Sequence, residues 1–121
     1  MRSKTAVRAL SALAQETRLE IFRILASRAR SSDAELGMSP EMSVGEISDQ
    51  LGGVNAATLS HHLKELSNAD LIEARRQSRH IYYRACSETL TELVDHLVVD
   101  CCGEDRPIKA ADGFTPSFLQ K

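Results

Sequence analysis

Tryptophan is absent from the 121 residues and aromatic side chains make up only 4% of them, so any core must be built from aliphatic side chains. Cysteine is scarce: there are three, an odd number, with no Cys-x-x-Cys pair. That argues against a disulfide framework and excludes a zinc ribbon or a thioredoxin-like site. No apolar run approaches the roughly 20 residues that cross a bilayer. There is no Gly-x-Ser-x-Gly elbow and no glycine-rich phosphate loop. Ser60, His61 and His62 carry the atoms for acyl transfer, but neighbours on a helix point apart, so the chain is not expected to be an enzyme and no cofactor is required. The basic, amphipathic start MRSKTAVRALSALAQ runs straight into Glu16 with no cleavage-type site, and a cytoplasmic location is expected.

An apolar fraction of 42% is ordinary for a folded chain, and the length suits one domain. The formal net charge of −2 hides a strong segregation. Residues 1–30 carry a net +5, residues 31–53 a net −5, residues 54–84 a net +2 and residues 85–121 a net −4. Overall balance with local excess suits a protein that meets a polyanion on one surface only.

Apolar periodicity marks the helices. In AVRALSALA, residues 6–14, Val7, Leu10, Leu13 and Ala14 recur at helical spacing, and RLEIFRILASRA presents Leu19, Phe22, Ile24 and Leu25 as a broad stripe to be buried. Residues 30–41 read as a loop. Ser43 with Glu46 three residues on is a capping-box signature for SVGEISDQL, which stops at Gly52–Gly53. Asn55 is then a plausible N-cap for AATLSHHLKELSNA. Two short helices across a glycine-containing turn form a helix-turn-helix pattern, though a plain helical hairpin has the same spacing. The runs LIEA (71–74) and HIYYRA (80–85) follow as a β-hairpin. A hairpin directly after a helix-turn-helix makes a winged helix, so the expected fold is mainly α with a small β-hairpin. The last helix, SETLTELVDHLVVDCC, carries Leu90, Leu93, Val94, Leu97, Val98 and Cys101 as one continuous seam. Residues 1–103 are read as the domain and 104–121, with Pro107, Gly113 and Pro116, as a loose tail.

At about 100° per residue, Leu59, Leu63 and Leu66 must face the core; opposite them lie Ala57, His61, Lys64 and Asn68, with Thr58 and Ser60 on the flanks and Asn55 at the front. Hydroxyls and Lys suit phosphates; Asn and His can meet base edges. His62 lies at the buried flank, where a packed and hydrogen-bonded role is expected. Residues 75–84 carry Arg75, Arg76, Arg79 and Arg84 with no acid among them. A solvated hairpin can also be this basic, but beside such a helix these arginines suit DNA backbone or the minor groove.

ETRLEIFRIL, VGEISDQL, TLSHHLKEL and ADLIEARRQSRHIYYRA, with the helix that ends in Cys101–Cys102, resemble the ArsR/SmtB family of metal-responsive winged-helix repressors over residues 8–103. The resemblance implies a homodimer held by the first and last helices, a DNA-reading helix at 55–67, and release from double-stranded operator DNA by metal or metalloid. Two family patterns are missing. The helix before the reading helix, MSVGEISD, has none of the cysteines of the best-known arsenic repressors. Asp95 and His96 are adjacent with no second His, which does not match the zinc sensors. VVDCCGED does resemble a subgroup of arsenic repressors whose last helix ends in an Asn-Cys-Cys-like segment.

Thiolates select soft ions such as trivalent arsenic. Cys101 and Cys102 can satisfy the two exchangeable positions of methylarsenite; arsenite, and antimonite with it, wants a third sulfur. Cys86 is the remaining cysteine, about 22 Å from Cys101 if residues 87–101 form one α-helix at about 1.5 Å per residue. It could join only from the other subunit of an antiparallel pair. Against a ligand role, Cys101 continues the apolar seam as a small hydrophobe could, and Cys86 could be simple core. The sequence therefore leaves three functions open: a repressor relieved by trivalent arsenic, a thiol-redox repressor of the same fold, and a metalloid-sequestering or interaction module without DNA binding.

Overall fold

The structure, a computed structural model, describes residues 1–31, 37 and 39–103. The expected tail at 104–121 and most of the expected loop after residue 31 lie outside the described residues. Helix α1 (Ser3–Leu13) and helix α2 (Glu16–Ser31) lead into a two-residue strand β1 (Met42–Ser43) and helix α3 (Val44–Gln50). Helix α4 (Ala56–Asn68), strands β2 (Ile72–Gln77) and β3 (His80–Ala85), and helix α5 (Ser87–Asp95) complete the order, and α5 runs on as a π-helical segment, His96–Asp100. No described helix is long and apolar enough to cross a membrane.

The helix-turn-helix forms for the local reasons that its sequence suggests. The Glu46 N–H donates to Ser43 Oγ and the Ser43 N–H donates to Glu46 Oε1, both at 3.2 Å, closing the capping box of α3. Gly52 and Gly53 then take φ of 81° and 89°, a region open to glycine and costly for other residues, and this turns the chain out of α3. Asn55 Oδ1 accepts the N–H groups of Ala57 (2.9 Å) and Thr58 (3.4 Å), starting α4. Leu59, Leu63 and Leu66 face inward and are essentially buried, against Ile21, Leu25 and Leu71 in the same core.

The sheet is three-stranded and antiparallel, in the order β1-β3-β2, rather than a lone hairpin. Strand β1 has no alternation to betray it because it is only two residues long. Its Met42 is fully buried opposite Tyr83.

Packing assigns the inner face of α1 and corrects two expectations. On α1 the buried residues are Ala6, Ala9 and Ala12, whereas Val7 is 62% and Leu10 41% exposed. A stripe of alanines lets α1 lie close on α2 and α4, which turns its larger side chains outward. Leu19, expected inside, is 54% exposed, since Ile21, Phe22, Ile24 and Leu25 fill the inner face of α2. The last helix is not a single α-helical seam either. Each i→i+5 bond of the π segment adds one residue to the turn and slips the phase. Val98 is thereby buried while Leu97 and Cys101 face solvent.

His62 is buried as expected, but its Nδ1 has no hydrogen-bond partner among the described residues, unlike the hydrogen-bonded role read from the sequence. Burial, with help from Arg18 and His61 nearby, pushes its pKa below the ordinary histidine value. The folded state thus favours neutral His62 and binds fewer protons than the unfolded chain. Its contribution to stability is fully present above about pH 6.5 and is lost as pH falls through the lowered folded-state pKa. His62→Leu is expected to shrink the loss of melting temperature between about pH 7.5 and pH 5. An unchanged pH profile would assign that loss to other groups.

Candidate nucleic-acid interface and thiol pair

Helix α4 presents two chemically distinct faces. Thr58, Ser60, His61 and Lys64 are all exposed: His61 and Lys64, with small Ala57, lie opposite the buried leucines, and Thr58 and Ser60 flank them on either side. A row of short hydroxyl side chains, an imidazole and an ammonium on a protruding helix can approach phosphates and base edges without steric obstruction. Asn55 stands apart from this set, because its carbonyl oxygen is engaged in capping the helix.

The wing sorts its arginines by strand alternation. Gln77 pairs with His80 across a two-residue turn at Ser78 and Arg79, with Ser78 at φ 60°. From that register Glu73, Arg75 and Gln77 share a face with His80, Tyr82 and Arg84, and Arg76 lies on the other face opposite Ile81. Arg75 and Arg76, neighbours in sequence, therefore point to opposite sides. Arg84 donates to Glu73 Oε2 through Nε (3.0 Å) and a terminal nitrogen (2.7 Å). Arg75 is bound to Glu41. Arg76 and Arg79 have no carboxylate partner among the described residues.

A count of charges along residues 75–84 misses both acids. Glu73 could have been found from the hairpin register, since a two-residue turn at 78–79 sets it opposite Arg84. Glu41 carries no sequence signal, because it lies 34 residues before its partner.

Cys101 and Cys102 are exposed and unpaired at the end of the π segment, just beyond the His96 Nδ1 to Asp100 Oδ2 contact of 2.6 Å. Two adjacent free thiols on a terminal turn have the donor chemistry for a two-coordinate thiophilic ion. Cys86 is buried at the opposite end of α5. Burial, with the Glu73 carboxylate beside it, pushes its thiol up to about 11, so it is protonated at neutral pH. Within the chain the three sulfurs are not brought together, and no group of three or more potential metal-ligating side chains occurs among the described residues.

The known proteins most informative about this arrangement are regulators. A family model described as a helix-turn-helix domain matches residues 13–75, just over half of the chain. The transcriptional regulator KmtR of Mycobacterium tuberculosis is 37% identical over 76 residues, covering 63% of this chain and 58% of that protein. The chain thus spans less than two thirds of the curated relatives it matches. An ArsR-like transcriptional regulator from Rhodococcus sp. RHA1 aligns at 25% identity over 82% of this chain and 81% of its own, with a TM-score of 0.61. A homodimeric winged helix-turn-helix DNA-binding domain from Mycobacterium bovis aligns at 27% identity over 88% of each chain, with a TM-score of 0.57. These relatives are transcriptional regulators, in agreement with the expectation that the chain is not an enzyme. Its two capped helices, buried leucine face and three-stranded wing thus place this chain in the helix-turn-helix domain family, among the winged regulators of the ArsR/SmtB type.

Proposed function

We propose that the chain is a homodimeric transcriptional repressor that binds double-stranded operator DNA and is released by trivalent arsenic held by Cys101 and Cys102. The observation that carries DNA binding is the exposed set Thr58, Ser60, His61 and Lys64 on α4, together with Arg76 and Arg79 of the wing, which have no carboxylate partner among the described residues. Arg79 sits in the turn, where it can reach phosphates or a minor groove and add affinity without reading sequence.

Dimerisation is supported by apolar surface that a single chain leaves bare. Val7 and Leu10 on α1 and Leu97 in the π segment lie exposed on the first and last helices. The Mycobacterium bovis relative is homodimeric. Two copies would present two α4 helices to successive major grooves, about 34 Å apart.

The inducer reading rests on the exposed vicinal thiols. Methylarsenite exchanges two hydroxyls for two sulfurs, which Cys101 and Cys102 supply. Arsenite needs a third sulfur, and Cys86 of the second subunit would be its source. Binding at the end of the last helix must favour a dimer in which the α4 helices no longer match the grooves. A coupling of about 1–3 kcal/mol corresponds to a roughly 5- to 150-fold loss of operator affinity. Exposed, unpaired thiols also suit a second reading, release by oxidation.

Fluorescence anisotropy of the reduced protein on its own upstream DNA separates these. Titration with methylarsenite is expected to release DNA at concentrations where zinc does nothing. Release by peroxide alone would overturn the arsenic reading in favour of the redox one. No DNA binding at all would leave a metalloid-sequestering or interaction module.

A further inference from the structure

Four arginines crowd the wing, yet the structure treats them differently. Arg75 donates through Nε to both oxygens of Glu41 (2.8 and 3.1 Å), through one terminal nitrogen to Glu41 Oε1 (2.8 Å), and through the other to Gln77 Oε1 (2.9 Å). Its guanidinium also lies 5.2 Å from the centre of the Tyr82 ring. All three guanidinium nitrogens are engaged, and a flat face is covered. A phosphate contact would have to displace a bidentate carboxylate, the strongest common partner of this group.

The position of Glu41 gives the contact its consequence. Glu41 precedes β1, whose Met42 and Ser43 pair with Tyr83 and Tyr82 of β3. The ion pair therefore spans the whole sheet, from the β1 edge across Tyr82 to β2. Ser43 on the same short strand caps α3, the first helix of the helix-turn-helix. Arg28 of α2 holds the other side of this segment, donating to the Ser39 carbonyl (3.0 Å) and to Glu46 (3.1 Å). The Glu41 side chain is 16% exposed and that of Arg75 51%, so the carboxylate is the sheltered half of the pair. The Arg75 hydrogen bonds hold its carboxyl below the usual range, so it is charged at neutral pH.

We propose that Glu41 and Arg75 form a brace that fixes the pitch of the wing against the helix-turn-helix, leaving Arg76 and Arg79 as the wing residues that neutralise phosphate. Arg75 is then a positioning residue, not a DNA contact. The inference rests on the DNA-binding reading for its consequence, though the brace itself exists without DNA. It also inverts what charge counting says. Removing a carboxylate from a DNA-facing surface should tighten binding; here Glu41→Gln weakens it, because the wing is no longer held.

The test uses the full-length protein and a mixed-sequence duplex about three helical turns long, followed by anisotropy across a salt series. Arg76→Gln and Arg79→Gln are each expected to lower the slope of log affinity against log salt by about 0.9, the signature of one lost phosphate contact. Arg75→Gln, Arg75→Lys and Glu41→Gln should each weaken binding about two- to fivefold with the slope unchanged. Lysine keeps the charge at 75 but lacks the fork that grips Glu41. A wild-type affinity for Arg75→Lys, a slope lowered by Arg75→Gln, or tighter binding by Glu41→Gln would each overturn the brace. Amide hydrogen exchange of the DNA-free protein supplies a second readout. Glu41→Gln should speed exchange in β1 and β3 several-fold and leave α4 unchanged; equal rates would reject the brace even if the protein binds no DNA. Failure of wild-type protein to bind any duplex would instead reject the DNA-binding reading.

Discussion

Cys101→Ser and Cys102→Ser, each alone, are expected to abolish release of operator DNA by methylarsenite while leaving affinity for DNA unchanged. Methylarsenite held by one sulfur keeps a labile hydroxyl and loses the chelate, whose second bond forms without a further loss of translational freedom. Both thiols are exposed and lie beyond the last helical segment, so serine in either place removes a ligand without opening a cavity in the core. The expected change is loss of the whole inducer response, about 5- to 150-fold in operator affinity. Anisotropy on the two variants, in parallel with Cys86→Ser, measures it. Cys86→Ser should leave the methylarsenite response intact, because that thiol is buried and protonated at the far end of α5. If either exposed cysteine can be replaced without effect, the two-thiol site is wrong. Loss of the arsenite response alone in Cys86→Ser would support a third ligand supplied across the dimer.

Leu63→Ala is expected to be the most damaging single change to the fold. The side chain is only 1% exposed on the inner face of α4, between Leu59 and Leu66. Truncation there removes apolar burial and leaves a cavity, a cost of about 2–5 kcal/mol. Domains of this size have a total stability of about 5–15 kcal/mol. Each kcal/mol moves the melting temperature by about 4–8 °C, so a fall of about 10 °C or more is expected in a thermal melt followed by circular dichroism at fixed protomer concentration. Lys64→Ala, one residue on and exposed, serves as the control and should leave the melt nearly unchanged while weakening DNA binding. A Leu63→Ala melt within a few degrees of wild type would mean that the core relaxes around the gap.

Much of helix α4 and of the turn that leads into it was legible because the signals are local. Ser43, Glu46, the glycine pair and Asn55 act within three or four residues of one another, and the leucine spacing of α4 depends on helix geometry alone. The vicinal cysteines were visible for the same reason, although their exposure was not. The continuous seam of the last helix suggested that Cys101 could pack, and a change of helical pitch after Asp95 turned it to solvent.

By itself the sequence determined the order of the α-helices and the hairpin, both caps of the helix-turn-helix, the inward face of α4 and the presence of a basic wing. Each of these follows from short-range hydrogen bonding or from a fixed residue period. Only the tertiary structure decided which face of α1 is buried, that β1 joins the sheet, and that Arg75 and Arg84 of the wing are ion-paired. Alanines win the inner face of α1 because close helix approach favours small side chains, which no hydrophobic period reveals. Arg75 is neutralised by Glu41 because pairing of β1 with β3 carries a carboxylate across 34 residues of chain, and such a long-range contact is set by folding rather than by neighbouring sequence.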